Sequence, residues 1–346
     1  VSDGAPAATV GPWLAAQTGE PAWATAAIEL ISGGKSNLTY VVRSAAGDVV
    51  LRRPPTGHVL ATAHDMLRES RVIAALGPVG YPVPAIVAVE ESGDLLGAPF
   101  YVMSKVEGHI VRDQLPAGYG ETGADRAVIG ERLVQGLVDL HAVDYRAAGL
   151  GEFGRPTGYM ERQVRRWSKQ WDATKTDPLP HLDDLAADLI ARVPAHCGET
   201  VVHGDYRLDN TILDPTDVGR IAAVLDWEMS TLGDPLADLG LLLTYWREAG
   251  DARAGLEGLT PAVTWMPGFP DRAGVAETYA KASGRDVGDL PFYVAFGYFK
   301  LAVVVQGILA RLAGGAMGGQ DFGAMDGLVS TLVERGRTCL ADDVLG

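Results

Sequence analysis

Hydrophobic periodicity along this sequence is mainly of period two before about residue 105 and mainly near 3.6 after about residue 125, and that division limits the folds open to it. Residues 26–54 follow a period of two: Ala26–Ser32, a turn at Gly33-Gly34-Lys35-Ser36-Asn37, Leu38–Ser44, a turn at Ala46-Gly47-Asp48, then Val49–Arg53 running into Pro54-Pro55. This spacing predicts a three-stranded antiparallel meander. His64–Leu76 predicts one helix, ended by Gly77-Pro78, and a strand pair follows at Ile86–Glu90 and Phe100–Met103. From about Asp125 the period is near 3.6, with helices expected over Arg126–Ala142, Tyr159–Trp171, Asp184–Val193, Leu236–Glu248, Ala273–Ser283 and Pro291–Ala313. A short β-rich island, Thr200–Asp226, interrupts them. The expectation is an α+β chain of two lobes: 1–105, an antiparallel sheet with one helix, and 106–346, mainly helical, joined near residues 100–108.

Composition narrows the functional classes. The chain is 47% hydrophobic and has a formal net charge of −15, so it buries a core and is not disordered. Residues 1–105 carry a net charge of −2 and residues 106–346 a net charge of −13. An acidic chain without a basic tract is a poor binder of a phosphate backbone, which excludes nucleic acid as the expected partner. The two cysteines, Cys197 and Cys339, follow no metal-ligand spacing and suit a reduced, cytoplasmic compartment. Val1–Val10 has no basic start followed by an apolar run, so no signal peptide is expected. The apolar stretch Tyr293–Leu312 contains Lys300, Gln306 and Arg311, which predicts a core helix and no membrane partner.

The most informative segment is His203-Gly204-Asp205-Tyr206-Arg207-Leu208-Asp209-Asn210, followed by Val224-Leu225-Asp226-Trp227-Glu228. Asp205 and Asn210 are five positions apart, and Asp226 follows sixteen residues after Asn210 at the end of an apolar strand. Phosphoryl transfer to an alcohol asks for this set: a carboxylate to orient and deprotonate the hydroxyl, with a carboxamide oxygen and a second carboxylate to hold Mg²⁺.

With His-Gly-Asp in its catalytic loop and Gly233-Asp234-Pro235-Leu236-Ala237-Asp238-Leu239 downstream, the sequence resembles the aminoglycoside phosphotransferase and choline kinase-like family. Within that family it is most similar to the branch associated with acyl-CoA dehydrogenases. The resemblance implies a bilobal protein-kinase-like fold and a small-molecule kinase using ATP, with GTP as the alternative donor, and Mg²⁺. Asp205 would be the base, Asn210 and Asp226 the metal ligands, and Arg207 a charge near the transferred phosphoryl group. Asp238 would hydrogen-bond the catalytic-loop backbone, and His203 would support the loop rather than act as acid or base.

The first lobe supplies an independent check. A kinase needs a cation on its third strand paired with a Glu on the next helix. Here the strand ends Val49-Val50-Leu51-Arg52, with Arg where Lys is usual, and Glu69 falls within the apolar stripe of Met66, Val72, Ile73 and Leu76. A carboxylate there needs a buried partner, and Arg52 is the candidate. Arg is a planar fork and Lys a compact point charge, so the exchange bears on nucleotide affinity. By position the turn Gly33–Asn37 covers the nucleotide, with Gly33 and Gly34 for close approach and Ser36 and Asn37 as phosphate donors; a plain hairpin turn would look the same. Phe100–Val106, with Met103, stands where adenine would meet the backbone.

For the acceptor, α-helical plotting of 160–171 gathers Met160, Val164, Trp167 and Trp171 on one side and Arg162, Arg165, Arg166 and Lys169 on the other. A basic face within an acidic lobe points to an anionic substrate bound by Arg162, Arg166 and Trp167, such as a hydroxyacyl-CoA. The alternatives are an aminoglycoside, whose positive charge suits the acidic surface, and a nucleotide-binding regulator that has lost catalysis.

Overall fold

A computed structural model of the chain describes residues 4–33, 37–55, 65–175, 179–194, 198–251, 263–313 and 327–346. It divides into two compact units. Unit 1 is Val1–Gly108 with Ala148–Leu150 and Ala222–Ser230; unit 2 is His109–Ala147, Gly151–Ile221 and Thr231–Gly346. Linear order assigns residues 222–230 to the helical part, yet they pack with the sheet. Val224 N donates to Pro82 O at 2.8 Å, which anchors the segment that carries Asp226.

Unit 1 is built on a five-stranded antiparallel sheet of β1 (Ala27–Gly33), β2 (Leu38–Ser44), β3 (Gly47–Arg53), β4 (Ile86–Glu90) and β5 (Phe100–Ser104), in the order β1-β2-β3-β5-β4. Helix α1 (Ala7–Thr18) covers one face, placing Val10 and Leu14 against Trp23, Val42, Leu51 and Phe100. Each such side chain, fully buried, contributes about 1.5–3 kcal/mol. Nothing in the sequence signals α1, because small residues and Pro12 obscure its period. Helix α2 (Met66–Leu76) begins where Asp65 caps it, accepting from Arg68 N at 2.9 Å. His64, where the sequence starts this helix, lies outside the described residues. The apolar face of α2 is buried as the stripe requires, with Glu69 inside it.

Unit 2 contains α3 (Gly123–Ala142), α4 (Tyr159–Thr174), α5 (Pro180–Ala191), β6 (Thr200–Val202), β7 (Thr211–Leu213), β9 (Thr231–Gly233), α6 (Pro235–Tyr245), α7 (Arg272–Ser283), α8 (Leu290–Ala313) and α9 (Leu328–Asp342). The chain passes from unit 2 to unit 1 within β8 (Ile221–Val224). A reciprocal box opens α3: Asp125 N donates to Thr122 Oγ1 and Thr122 N donates to Asp125 Oδ2, each at 3.0 Å. Helix α5 begins four residues before its expected start, at Pro180, and α9 is unanticipated although Leu328, Leu332, Val333 and Gly336 follow the helical period.

Strand β6 pairs with β9, Val201 opposite Leu232, and the loop after β6 carries the His203–Asn210 motif. Helix α8 is the framework of this unit. By length and composition Leu290–Ala310 could cross a membrane, but 78% of that stretch is buried inside the protein, so it is a core helix as expected. It packs on α6 with almost no clearance at Gly240, where a Cβ would stand 2.5 Å from Tyr293 Cβ and 2.6 Å from its carbonyl carbon. Gly240→Ala should therefore force the two helices apart and lower stability by about 1–3 kcal/mol, read as a lower melting temperature and a lower urea midpoint with unchanged helical circular dichroism at 20 °C.

Candidate active site

In unit 1 a buried cation holds two carboxylates. Arg52 projects from β3, opposite Thr39 of β2 and Tyr101 of β5. Its Nη2 lies 3.0 Å from Asp226 Oδ1 and 3.3 Å from Glu69 Oε1, with the Arg52 side chain 11% exposed and Glu69 1%. Burial alone would weaken the guanidinium's hold on its proton; Glu69, Tyr101 and Asp226 together outweigh that and raise its pKa. Glu69 is pushed above the usual carboxylate range, first by burial and then by the nearby charge of Asp226, with Arg52 opposing. Asp226 adopts φ 66° and ψ 60°, a left-handed conformation uncommon for a non-glycine residue, though Asp and Asn adopt it more readily than most.

The remaining unit 1 candidates have separate environments. Gly33 pairs with Leu38 to close the β1–β2 hairpin, whereas Gly34 and Ser36 lie outside the described residues. Asn37 is 5% exposed, and its Nδ2 donates to Glu228 Oε2 at 2.9 Å. Glu228 is a contact the sequence does not suggest, because 191 residues separate it from Asn37. Met103 lies within β5, buried, opposite Val50 and Ile86, and the next residue donates Ser104 N to Ala85 O at 2.8 Å.

In unit 2 the His203–Asn210 loop is held by buried charge. Asp238, 1% exposed at the start of α6, accepts from His203 N at 2.6 Å and from Gly204 N at 2.8 Å. His141 Nε2 approaches the same carboxylate at 3.4 Å while its Nδ1 meets Tyr279 Oη at 2.7 Å. Burial would raise the Asp238 pKa, but His141, His203 and the backbone amides outweigh it and lower it. Burial also holds His141 below its ordinary value, against the pull of Asp238. His203 is fully buried, and its Nδ1 accepts from Asp205 N at 3.2 Å.

The loop brings Asp205, Arg207 and Asn210 together. Asn210 Nδ2 donates to Asp205 O at 2.8 Å and to Asp205 Oδ2 at 3.1 Å. Arg207 stands 3.6 Å from Asp205 Oδ2 and 3.0 Å from Asp209 Oδ2, with its guanidinium 4.7 Å from the Tyr245 ring centroid. Burial raises the Asp209 pKa, partly offset by Arg207. The carboxamide nitrogen of Asn210 is thus committed to Asp205, and its oxygen is the atom left for a hard cation. Among the described residues no three His, Cys, Asp or Glu side chains group to hold a metal. Mg²⁺ takes hard oxygen ligands, one or two from protein with phosphate and water, and Asn210 in unit 2 and Asp226 in unit 1 each carry an oxygen of that kind.

On α4 the expected faces differ in part. Met160, Val164 and Trp171 are buried, but Trp167 is only half-buried. Arg162 donates to the carbonyls of Thr157 and Arg155, fixing the turn before the helix, and Arg165 pairs with Glu161 at 2.7 Å. Two of the four cations therefore have local work. Arg166 lies 5.9 Å from the Trp167 ring centroid, and Lys300 of α8 lies 5.6 Å from the same ring.

A family model described as "Phosphotransferase enzyme family" matches residues 27–283, spanning the sheet, the Asp205 loop and Asp226. The chain belongs to that family. This phosphotransferase is similar to a Ralstonia eutropha JMP134 protein of known structure, provisionally named an aminoglycoside phosphotransferase, at 31% identity over 96% of this chain and 98% of that one, with a TM-score of 0.80. It is also similar to mouse acyl-CoA dehydrogenase family member 10, 36% identical over 80% of this chain and 26% of that protein, and to rat family member 11, 35% identical over 88% and 39%. The chain thus spans between about a quarter and two-fifths of those curated relatives. The phosphotransferase has the α+β kinase-like fold, an antiparallel sheet with helices α1 and α2 in one unit and mainly helices in the other.

Asp238 supplies a signed pH test. Its folded pKa is depressed, so the stability it contributes is present above the ordinary carboxylate value and lost as pH falls through the folded one. Asp238→Asn keeps the volume but cannot serve both amides as a carboxylate. It should cost on the order of 3 kcal/mol at pH 7, and urea unfolding should show the gap from wild type shrinking below about pH 4.

Proposed function

We propose that this phosphotransferase moves the γ-phosphoryl group of ATP, or GTP as the alternative, to a hydroxyl of a small molecule. The observation that carries the reading is the Asp205–Asn210 loop: a carboxylate and a carboxamide in mutual hydrogen bond, with the backbone pinned by buried Asp238. The Asp205 carboxylate takes the acceptor's hydroxyl proton as that oxygen attacks the γ-phosphorus. The new P–O bond forms as the bond from the γ-phosphorus to the β–γ bridging oxygen breaks, the electron pair leaves on the nucleoside diphosphate, and the proton passes from Asp205 to solvent. Mg²⁺, held by Asn210 and Asp226, would neutralise charge on the phosphate oxygens. Arg52, oriented by Glu69, would meet the donor phosphates, and Arg207 would offset charge near the transferred group. Unit 1, with Gly33, Gly34, Ser36, Asn37 and Met103, serves as the nucleotide side and unit 2 as the catalytic and acceptor side. A reduced, cytoplasmic setting, where ATP is available, fits this chemistry. The complete Asp205, Asn210 and Asp226 set favours an enzyme over an inactive regulator.

For the acceptor, an aminoglycoside-like polyhydroxylated amine has better support than a hydroxyacyl-CoA. A similar structure carries that name, the chain's net charge of −15 suits a polycation, and the local contacts of Arg162 and Arg165 reduce the basic face that favoured an anion. The hydroxyacyl-CoA reading keeps one specific support, the match to acyl-CoA dehydrogenase family members, with Arg166 and Trp167 as its contacts. A phosphate-transfer screen of aminoglycosides, sugars and hydroxyacyl-CoA thioesters separates them. Asp205→Asn should lower kcat by at least about 1,000-fold while Mg-ATP binding, measured calorimetrically, stays within about twofold; undiminished turnover in that variant refutes the mechanism.

A further inference from the structure

Lys300 lies in α8, one of the two most apolar helices among the described residues, in a stretch that is 78% buried, and is itself half-buried. A cation in such a place is costly unless it has a partner that needs it. Its partner is the catalytic loop: Nζ donates to Gly204 O at 3.1 Å. That oxygen and the amide of Asp205 belong to one peptide plane, and the amide end is held as well, by His203 Nδ1 at 3.2 Å. Gly204 has φ 84°, so the chain turns sharply just before Asp205, and the plane that follows decides where the carboxylate points. The ring of Trp167, 5.6 Å away, keeps the ammonium in place. Burial lowers the Lys300 pKa, against the pull of Asp205 and Asp238 and with the push of Arg166 and Arg207. Residue 300 lies beyond the 27–283 span of the family match.

We propose that Lys300 is a positioning residue for phosphoryl transfer, its ammonium anchoring the Gly204–Asp205 peptide so that the Asp205 carboxylate is aimed at the acceptor hydroxyl. This rests on the phosphotransferase reading. The test uses the full chain, with Mg-ATP as donor and either the acceptor found by screening or water, whose phosphorylation is read as Mg-ATP hydrolysis. Lys300→Met should lower kcat by about 100-fold, the scale of a misplacement near 1 Å, and leave KM for Mg-ATP within about twofold. Its melting temperature should be unchanged or higher, because Met fills the volume without holding a charge in an apolar helix. Lys300→Ala should lose kcat similarly and regain it with added propylamine. Wild-type kcat in either folded variant, with Asp205→Asn inactive, overturns the proposal. So does a loss of kcat that follows a lower melting temperature and that propylamine does not restore. Full turnover in Asp205→Asn would instead overturn the reading of Asp205 as the base, on which this proposal rests.

Discussion

A buried carboxylate holding two consecutive backbone amides is the interaction on which the His203–Asn210 loop depends. Asp238 accepts from His203 N and Gly204 N while neutral His141 completes its surroundings. A carboxylate that deep in an apolar setting is costly unless its oxygens are fully used. Here they are used on the residues just before Asp205, so the energy that compensates for burial also orients the loop. The close crossing of α6 and α8 at Gly240 brings two charged side chains of opposite sign to the same turn, Asp238 on its amides and Lys300 on its carbonyl.

Unit 1 uses the same device with the signs exchanged. Arg52 is the buried cation, and Glu69 and Asp226 are its carboxylates, joined through a single Nη2. A compact ammonium could also reach two carboxylates, but a guanidinium keeps further N–H groups in a fixed plane for phosphate oxygens. Glu69 and Tyr101 surround Arg52 so closely that breaking one member would leave an uncompensated charge, which is why such sets act as units.

Much of the site was legible because polar residues at unusual positions need a reason. Glu69 stands out within an apolar stripe, and Asp205, Asn210 and Asp226 stand out by spacing within a β-rich island. Lys300 was visible in the sequence only as an obstacle to a membrane span; that it faces Gly204 depends on how α8 packs on α6. Arg162 illustrates the reverse. Its place on a basic face suggests a ligand, yet its hydrogen bonds to Arg155 and Thr157 carbonyls fix a turn. Helix α1 was illegible because its stability comes from packing on the sheet through Val10 and Leu14, not from its own pattern.

By itself the sequence determined the α+β order of elements, the spacing of the polar set proposed for phosphoryl transfer and the demand that Glu69 find a cation, because periodicity and spacing are local properties. Only the tertiary structure decided which partners meet. Asp226 joins Arg52 across 174 residues, Asn37 joins Glu228 across 191, and Lys300 joins Gly204 across 96. Such contacts are set by how sheets and helices stack their apolar faces, and a linear pattern carries no record of which face will meet which.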